Sequence, residues 1–288
     1  MKNRFFLIIF HICIFIGFSF GQSNFEKKYL FFGHAYDDFS YDQRLAQINI
    51  RQYDGIFMGG DILSEASLSK DFLADLDELV DLANPMTMYA LGNHDSRNGN
   101  WDWVSEFTKR KTYSTHYEDK SVFMVLNTNI VPYDCEMLED QFYMIKTTCD
   151  TISGAQNLFM FMHHNIWDGV PGLSPGWTIA HQNCKYWVAN CDSVSAHFYN
   201  VVYPMLVEVK ERGIEVYCVL GDLGVPGKEK FNEVSSHGIH FLGSGLYHYS
   251  PDDDVLIFEN HSGEIEFDWH NLDSLTTVNK QRMNLPQN

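Results

Sequence analysis

Five short apolar runs in this sequence each end in a group of residues that could bind a metal ion. The groups are Gly33-His34-Ala35-Tyr36-Asp37-Asp38, Gly59-Gly60-Asp61, Gly92-Asn93-His94-Asp95, His163-His164-Asn165 and Gly221-Asp222-Leu223-Gly224. Carboxylate, imidazole and amide-oxygen donors suit hard and borderline divalent cations. The chemistry that such a site performs is the activation of water and the stabilisation of charge on anionic oxygens.

The apolar runs themselves predict buried strands. They are Tyr29–Phe32, Gly55–Met58, Met86–Leu91, Val122–Leu126, Leu158–Met162 and Glu215–Leu220. Two longer segments, Leu68–Leu82 and Phe198–Arg212, carry apolar residues at helical spacing and predict helices. This alternation predicts an α/β sandwich, in which the carboxyl ends of the strands should bring the polar groups together.

The order and separation of these groups resemble those of the calcineurin-like metallophosphoesterases. The match runs from about Tyr29 to Gly224, and Gly92-Asn93-His94-Asp95 is its most specific element. The resemblance implies a four-layer α/β/β/α sandwich with mixed sheets. It also implies a metal-dependent phosphoesterase that hydrolyses a phosphomonoester or a phosphodiester through metal-activated water.

The resemblance assigns a role to each residue of the central motifs. In that family an aspartate bridges two metals, and Asp61 stands at its position here. Asn93 and His163 would bind the second of these metals. His94 would be catalytic, facing the phosphoryl oxygens, and Asp95 would orient it.

The first and last motifs depart from the family pattern. If His34 aligns with the aspartate of the family's Asp-x-His, the chain has His34-Ala35-Tyr36 there, and it has Gly221-Asp222-Leu223-Gly224 in place of Gly-His-x-His. We interpret the two departures as an exchange that makes metal ligands of both His34 and Asp222 and preserves the charge of the site. Alternatively, His34 is the family's own first-motif histidine and the aspartate is lost.

The exchange predicts one strong site for a divalent metal (Mn, Fe or Zn) and a second, weaker site. The strong site would have four ligands: Asp61, Asn93, His163 and Asp222. The weaker site would have His34 and Asp61, together with whichever of three neighbours reaches it: Tyr36, Asp37 or Asp38. A different closing motif, Ser236-His237-Gly238-Ile239-His240, is more simply explained by ordinary strand histidines.

The domain organisation predicted from the sequence is simple. Residues 1–21 are predicted to be a secretion signal, because Lys2 and Arg4 precede an apolar run that ends at small residues. An uncleaved anchor is the alternative, and both place the protein outside the cytoplasm. Residues 22–288 are expected to form a single domain, with 164–196 as a long loop over the site. His164 and Trp167 of this loop are predicted to bind the substrate, with loop packing as the alternative for Trp167.

Charge limits the partners. The 288 residues include 20 Lys and Arg against 38 Asp and Glu, a formal net charge of −18. This charge excludes a protein that coats a polyanion and disfavours a metal-dependent nuclease. We expect a small phosphoester substrate, no nucleic acid and no stable membrane insertion after signal cleavage. The competing hypothesis is an exported binding or structural module that keeps the fold but has lost turnover.

The cysteines suggest local cross-links. Five remain once the signal is removed, and short separations predict bridges between Cys135 and Cys149 and between Cys184 and Cys191. Cys218 lies in an apolar run and is predicted to be a buried thiol. Asn260-His261-Ser262 matches a glycosylation sequon, which has meaning only in a eukaryotic host.

Overall fold

The fold comes from a computed structural model of the chain, which describes residues 26–37, 40–64, 68–98, 100–174, 198–224 and 230–276. The predicted secretion signal, Asp38, Cys184, Cys191 and most of the 164–196 loop lie outside these ranges. Within them, no helix combines the length and the apolar character that a membrane span needs.

Strands and helices alternate along the described chain. The strands are β1 Glu26–Phe32, β2 Tyr36–Asp37, β3 Ser40–Tyr41, β4 Gly55–Met58, β5 Thr87–Tyr89, β6 Ser114–Glu118, β7 Ser121–Val125, β8 Asn157–Met162, β9 Glu215–Leu220, β10 Lys230–Val234, β11 His240–Ser244, β12 Asp254–His261 and β13 Glu264–Asn271. The α-helices are α1 Lys70–Val80, α2 Trp101–Thr108, α3 Cys135–Thr151 and α4 Tyr203–Glu211. Leu45–Gln47 and Ile50–Gln52 are 3₁₀ turns, Phe198–Val202 is a π-helical turn, and 272–276 is a short helix.

Two mixed sheets form the body of the fold. The first has the strand order β13-β12-β1-β4-β5, and the second has the order β10-β11-β9-β8-β7-β6. Strands β1, β4 and β5 run parallel, as do β7, β8, β9 and β11, while β6, β10, β12 and β13 pair antiparallel with their neighbours. Parallel strands buried on both faces read as continuous apolar runs, and for this reason all six predicted strands are confirmed.

The buried side chains divide into three layers. Aromatic side chains of both sheets, among them Phe31, Phe57, Phe159 and Phe161, fill the space between the sheets. A second cluster packs α1 and α2 on the outer face of the first sheet, and a third packs α3 and α4 on the outer face of the second. The predicted α/β/β/α sandwich with mixed sheets is therefore confirmed.

The two predicted helices are present, with adjusted ends. α1 begins one residue after Ser69, whose hydroxyl accepts a hydrogen bond from the backbone N–H of Asp71 and caps the helix. The segment predicted as one helix from Phe198 is divided into the π-helical turn and α4, with a proline at the start of α4.

The predicted bridge between Cys135 and Cys149 is wrong. Both residues belong to α3, and at 1.5 Å rise per residue their Cα atoms lie about 21 Å apart, whereas a disulfide needs less than about 7 Å. Cys149 is a buried free thiol, and Cys135 is disulfide-bonded to a partner outside the described residues. Cys218 is a buried free thiol, as predicted.

The sequon at Asn260 is not available for modification. Asn260 lies in β12, is 4% exposed, and its side-chain oxygen accepts a hydrogen bond of 2.7 Å from the backbone N–H of Gly263. Its side chain is therefore part of the β12–β13 turn and not of the surface.

Candidate metal centre and active site

The strand ends of the two sheets touch at three glycines. Gly33 and Gly59 follow β1 and β4 of the first sheet, and Gly221 follows β9 of the second. A Cβ atom on Gly59 would lie 2.6 Å from the Cα atom of Gly221, and a Cβ atom on Gly33 would overlap the same atom. Larger residues would force the sheets apart. This contact brings the polar groups after the strands onto one patch.

Asp61 lies at the centre of this patch. Its backbone is left-handed, with φ of 51°, a conformation that costs a non-glycine residue about 1–3 kcal/mol and is concentrated at functional sites. The residue is 1% exposed. Its Oδ1 accepts a hydrogen bond of 2.7 Å from the backbone N–H of His94, while Oδ2 lies 3.4 Å from Nε2 of His163 and 4.0 Å from Nε2 of His34. Asp61 thus faces donors on two sides.

Asp95 does not orient His94. Its two carboxylate oxygens accept hydrogen bonds of 2.7–3.1 Å from four backbone N–H groups: those of Asp61, Ile62, Leu63 and Gly92. Burial and the neighbouring Asp61 raise the pKa of Asp95 to about 6, against the effect of these donors. The predicted role of Asp95 is therefore corrected: it holds the turn that carries Asp61.

His163 presents one nitrogen to Asp61. Its Nδ1 donates to the backbone carbonyl of Gly59 at 2.8 Å, which directs Nε2 towards Asp61 and towards Oδ1 of Asn93 at 3.2 Å. Burial acts to lower the pKa of His163, but Asp61, Asp222 and the carbonyl of Gly59 together raise it. His163 in turn lowers the pKa of Asp61 well below its usual range, against burial. A backbone carbonyl on the far nitrogen is the usual support of a metal-binding histidine.

His164 lies among the donors and not on the substrate side. It is 1% exposed, and its Nε2 lies 3.2 Å from the same Oδ1 of Asn93. Its Nδ1 contacts Oγ1 of Thr128 at 2.7 Å. Burial and the neighbouring His163 lower the pKa of His164 to about 3, so the ring is neutral. The predicted substrate contact is corrected to a position beside Asn93.

Thr128 is a residue that the sequence analysis missed. It follows β7, and its hydroxyl also accepts a hydrogen bond of 3.2 Å from the backbone N–H of His164. The available signal was the polar run Asn127-Thr128-Asn129 after a predicted strand, which is the same signal that identified the other groups.

His34 and Asp222 complete a row of donors. Oδ1 of Asp222 lies 3.9 Å from Nε2 of His163, and the Asp222 backbone N–H donates to the His163 carbonyl at 3.0 Å. His34 reaches Asp61 from the other side, and its Nδ1 lies 3.2 Å from the carbonyl of Leu246. The row runs His34, Asp61, His163, Asp222, with His34 and Asp222 at its two ends.

The donor set fits divalent ions. Donors bound at 2.0–2.1 Å to a tetrahedral ion lie about 3.3 Å apart, and Oδ1 of Asn93 lies 3.2 Å from Nε2 of both His163 and His164. The row from His34 to Asp222 has successive distances of 4.0, 3.4 and 3.9 Å. The row is extended, since no three of its four donor atoms all lie within 4.8 Å of one another, so three of them could hold one ion only after side chains move closer.

A more compact group of three donors lies elsewhere in the described part of the chain. Glu26, Glu259 and His261 are the only three His, Cys, Asp or Glu residues there whose donor atoms all lie within 4.8 Å of one another. Lys28 pairs with Glu259 at 2.5 Å, so a cation already lies at this group. It stands at the start of β1, at the other end of that strand from His34.

His94 is held by an aromatic ring and a guanidinium. Its ring stacks on Tyr36 with centroids 4.3 Å apart and an interplanar angle of 18°. Nη2 of Arg97 lies 2.8 Å from Nδ1 of His94 and 3.1 Å from Nε2. Burial lowers the pKa of His94, Asp61 raises it, and Arg97 lowers it. Tyr36 therefore supports His94. Burial raises the pKa of the Tyr36 phenol, and the charge of Asp61 raises it further.

A loop after β11 forms the neighbouring wall. His248 and Tyr249 have φ of 42° and 60°, two successive left-handed residues without glycine. The His248 ring lies 5.9 Å from that of Tyr36, and the hydroxyl of Tyr249 donates to Asp37 at 2.8 Å. Asp37, one candidate for the weaker site, is thus bonded to this loop.

Arg44 holds the same loop through ion pairs and a contact with an aromatic ring. It pairs with Asp42, with Asp253, and with Asp273 at 3.1 Å, and its guanidinium lies 5.2 Å from the centre of the Tyr249 ring. Asp253 also accepts a hydrogen bond of 2.7 Å from the backbone N–H of Tyr247. This network could not be predicted from the sequence, because 209 positions separate Arg44 from Asp253.

Trp167 is a core side chain and not the exposed platform that the sequence suggested. It is 0% exposed and packs edge-on against Phe241 and parallel to Phe231, with centroids 4.7 and 5.9 Å apart. No face of the indole remains for a substrate. The alternative of loop packing is the one that the structure supports.

The alternative closing motif lies away from the patch. His240 begins β11 and stacks on Tyr217 at 4.9 Å, and His237 contacts the hydroxyl of Tyr203 at 2.9 Å. β11 runs parallel to β9, so His240 lies at the end of the sheet opposite to Gly221. His240 is thus an ordinary packed histidine, and His237 is an exposed one.

Comparison with known proteins gives limited likeness. No family model and no curated protein matches the sequence. The fold is similar to a conserved uncharacterised protein of Streptococcus pneumoniae described as a predicted phosphoesterase, with a TM-score of 0.38 and 12% identity over 86% of this chain and 91% of that chain. It is also similar to the NAD nucleotidase of Haemophilus influenzae, with a TM-score of 0.43 and 11% identity over 90% of this chain and 56% of that chain. These likenesses are too small to assign an activity, which must be argued from the site.

Proposed function

We propose that this protein is an exported, metal-dependent phosphoesterase. The observation that carries the proposal is the convergence of Asn93, His163 and His164 beside Asp61, from the ends of three different strands. Imidazole nitrogens supported at their far side, an amide oxygen and a buried carboxylate form a donor set for divalent metal.

The bound ions would supply Lewis acidity and a water molecule of lowered pKa. The residues of the chain would hold the ions and bind the phosphoryl group. Asp61, His163, Asn93 and Asp222 would hold one ion, and His34 with Asp61 would hold the other, weaker one. His94 lies at the exposed edge of the cluster, where its imidazole would donate a hydrogen bond to a phosphoryl oxygen and stabilise the transition state.

Export is supported by the sequence of residues 1–21 alone. Amino-terminal sequencing of the protein recovered outside the cytoplasm would test it. A mature chain that begins near residue 22 is the expected result, and a chain that retains residues 1–21 in the cytoplasm would contradict it.

The central experiment compares the wild-type protein with Asp61→Asn. Metal content is measured after dialysis against Mn, Fe or Zn, and hydrolysis is measured with p-nitrophenyl phosphate and bis(p-nitrophenyl) phosphate. We expect the wild type to bind metal and to turn over at least one ester, and Asp61→Asn to lose both while it stays folded. Asp75→Asn, an exposed change on α1, is the matched control and should alter neither.

The competing function is a metal-binding module without turnover. Two observations favour it: Gly224 offers no ligand, and Tyr36 stacks on His94, so the weaker ion position keeps only His34 and Asp61. A wild-type protein that binds metal through Asp61, yet hydrolyses neither ester with any of the three metals, would establish this module and overturn the enzyme.

A further inference from the structure

We propose that Arg97 is a specificity residue of this site, which recognises phosphomonoesters in preference to phosphodiesters. The inference rests on the proposed phosphoesterase function and names its substrate class. The site lies in a strongly acidic chain with two carboxylates, Asp61 and Asp222, in the row of donors. A dianionic substrate would need positive charge beyond the ions that these carboxylates offset.

Arg97 stands one side chain away from the donors. The His94 backbone N–H donates to Oδ1 of Asp61, and the His94 ring contacts Nη2 of Arg97 at 2.8 Å. The ring of His94 also lies 6.5 Å from that of His34. The guanidinium is therefore at the edge of the cluster, on the exposed side, where a phosphoryl group held by the ions would project.

The contact with Arg97 also defines the position of the guanidinium on His94. A guanidinium carries only donors, so a ring nitrogen of His94 must accept from it. Nη2 of Arg97 lies 2.8 Å from Nδ1 and 3.1 Å from Nε2, so the guanidinium covers the edge of the imidazole between its two nitrogens. Tyr36 stacks on the ring and keeps the imidazole plane fixed. A phosphoryl group that approached this edge of His94 would therefore meet the guanidinium of Arg97.

The charge of the substrate decides the preference. A phosphomonoester is mostly a dianion at neutral pH, because its second pKa is about 6, whereas a diester is a monoanion. The planar fork of arginine binds two unesterified oxygens, which both kinds of ester offer. The difference therefore lies in charge: a diester carries one negative charge less and gains less from Arg97.

The test uses the metal-loaded protein with Arg97→Gln, Arg97→Lys and the control Arg51→Gln. Arg51 is exposed in the 3₁₀ turn Ile50–Gln52, which precedes β4 and so lies at the opposite end of that strand from Gly59. The ratio kcat/KM is measured for p-nitrophenyl phosphate and for bis(p-nitrophenyl) phosphate. Binding of inorganic phosphate and of dimethyl phosphate is measured by calorimetry.

For Arg97→Gln we expect kcat/KM for the monoester to fall about 10- to 100-fold, the scale of a lost hydrogen bond to a charged group, and the diester value to fall less than about 3-fold. Phosphate affinity should fall with the monoester value, dimethyl phosphate affinity and metal content should not change, and Arg97→Lys should recover part of the loss. Equal losses on both esters, or unchanged phosphate affinity, would overturn the inference. A wild type without turnover would instead refute the proposed function, and phosphate binding would still decide the role of Arg97.

Discussion

The imidazole of His34 occupies the space in which a side chain of residue 224 would begin. A Cβ atom on Gly224 would overlap Nδ1, Cγ and Cε1 of that ring, although the backbone of Gly224 does not have the positive φ that favours glycine. Glycine is therefore required at 224 because His34 is present. The departures at the first and last strands are therefore sterically linked through His34 and Gly224.

Gly224→Ala should destabilise the protein by about 1–3 kcal/mol, because the new methyl group must displace the His34 ring. The double variant His34→Ala with Gly224→Ala should recover at least about 1 kcal/mol relative to the sum of the single changes. Urea unfolding measures all four proteins. His240→Ala combined with Gly224→Ala is the control and should show simple additivity, because His240 lies at the far end of the second sheet. Additivity in the His34 cycle as well would refute the steric link.

Exchanging the ligands at the two ends of the donor row should also be cooperative. His34→Asp and Asp222→His each change the charge of the site by one unit, whereas the double variant restores it. We expect the double variant to bind metal more tightly than either single variant, as measured by competition with a chelating dye. Losses in metal affinity that merely add would show that the two positions are independent.

His94→Asn should keep metal and lose turnover. The hydrogen bond from the His94 backbone N–H to Asp61 does not depend on the side chain of residue 94. The metal content measured after dialysis should therefore equal that of the wild type. The rate should fall about a hundredfold or more, the scale expected for a lost donor to developing charge. If turnover is unchanged, His94 is a structural residue.

Asp95→Asn should mainly lower the free energy of unfolding, with a smaller direct effect on the catalysed reaction. An amide has only one oxygen, so at least one of the four backbone N–H groups now bonded to Asp95 would face the NH₂ group. We expect a loss of about 2–4 kcal/mol in the free energy of unfolding, since a buried hydrogen-bonded charge is removed. Urea unfolding measures the loss, and a stable variant with slow turnover would instead support the role in orienting His94.

Thr128→Val should lower metal affinity about 10-fold, because it removes the hydroxyl that contacts Nδ1 of His164, a ring whose Nε2 lies 3.2 Å from Oδ1 of Asn93. Thr87→Val is a matched control, since its buried hydroxyl donates to the carbonyl of Val80 at the other end of β5 from Asn93. The control should lose stability but keep its metal affinity. Equal metal affinity in both variants would separate His164 from the metal site.

The sequence predicted those parts of the fold that depend on simple burial. Parallel strands are apolar on both faces and were found, but α3 was missed because polar Gln141 and Thr148 interrupt its buried face. β13 was missed because it alternates between exposed and half-buried residues at the edge of its sheet. Edge elements of this kind lack the continuous signal of a buried strand.

The sequence identified the donor groups but not the direction of each side chain. Asp95 follows His94 directly, yet it turns inward to bind backbone N–H groups while the His94 ring lies half-exposed beside Tyr36. Trp167 stands three residues after His164 and enters the core. The direction of a side chain after a strand depends on the local turn and on packing against distant segments. The residues adjacent in the sequence do not specify either.

Because Gly33 and Gly59 touch Gly221, the ends of two separate sheets form a single seam with no side chain between the backbones. The donors that follow these strand ends therefore lie side by side although they belong to different sheets, as Asp61 and His163 do at 3.4 Å. The spacing of the donor row is thus set by backbone contact, and a substitution at any of the three glycines would change that spacing without altering a single donor.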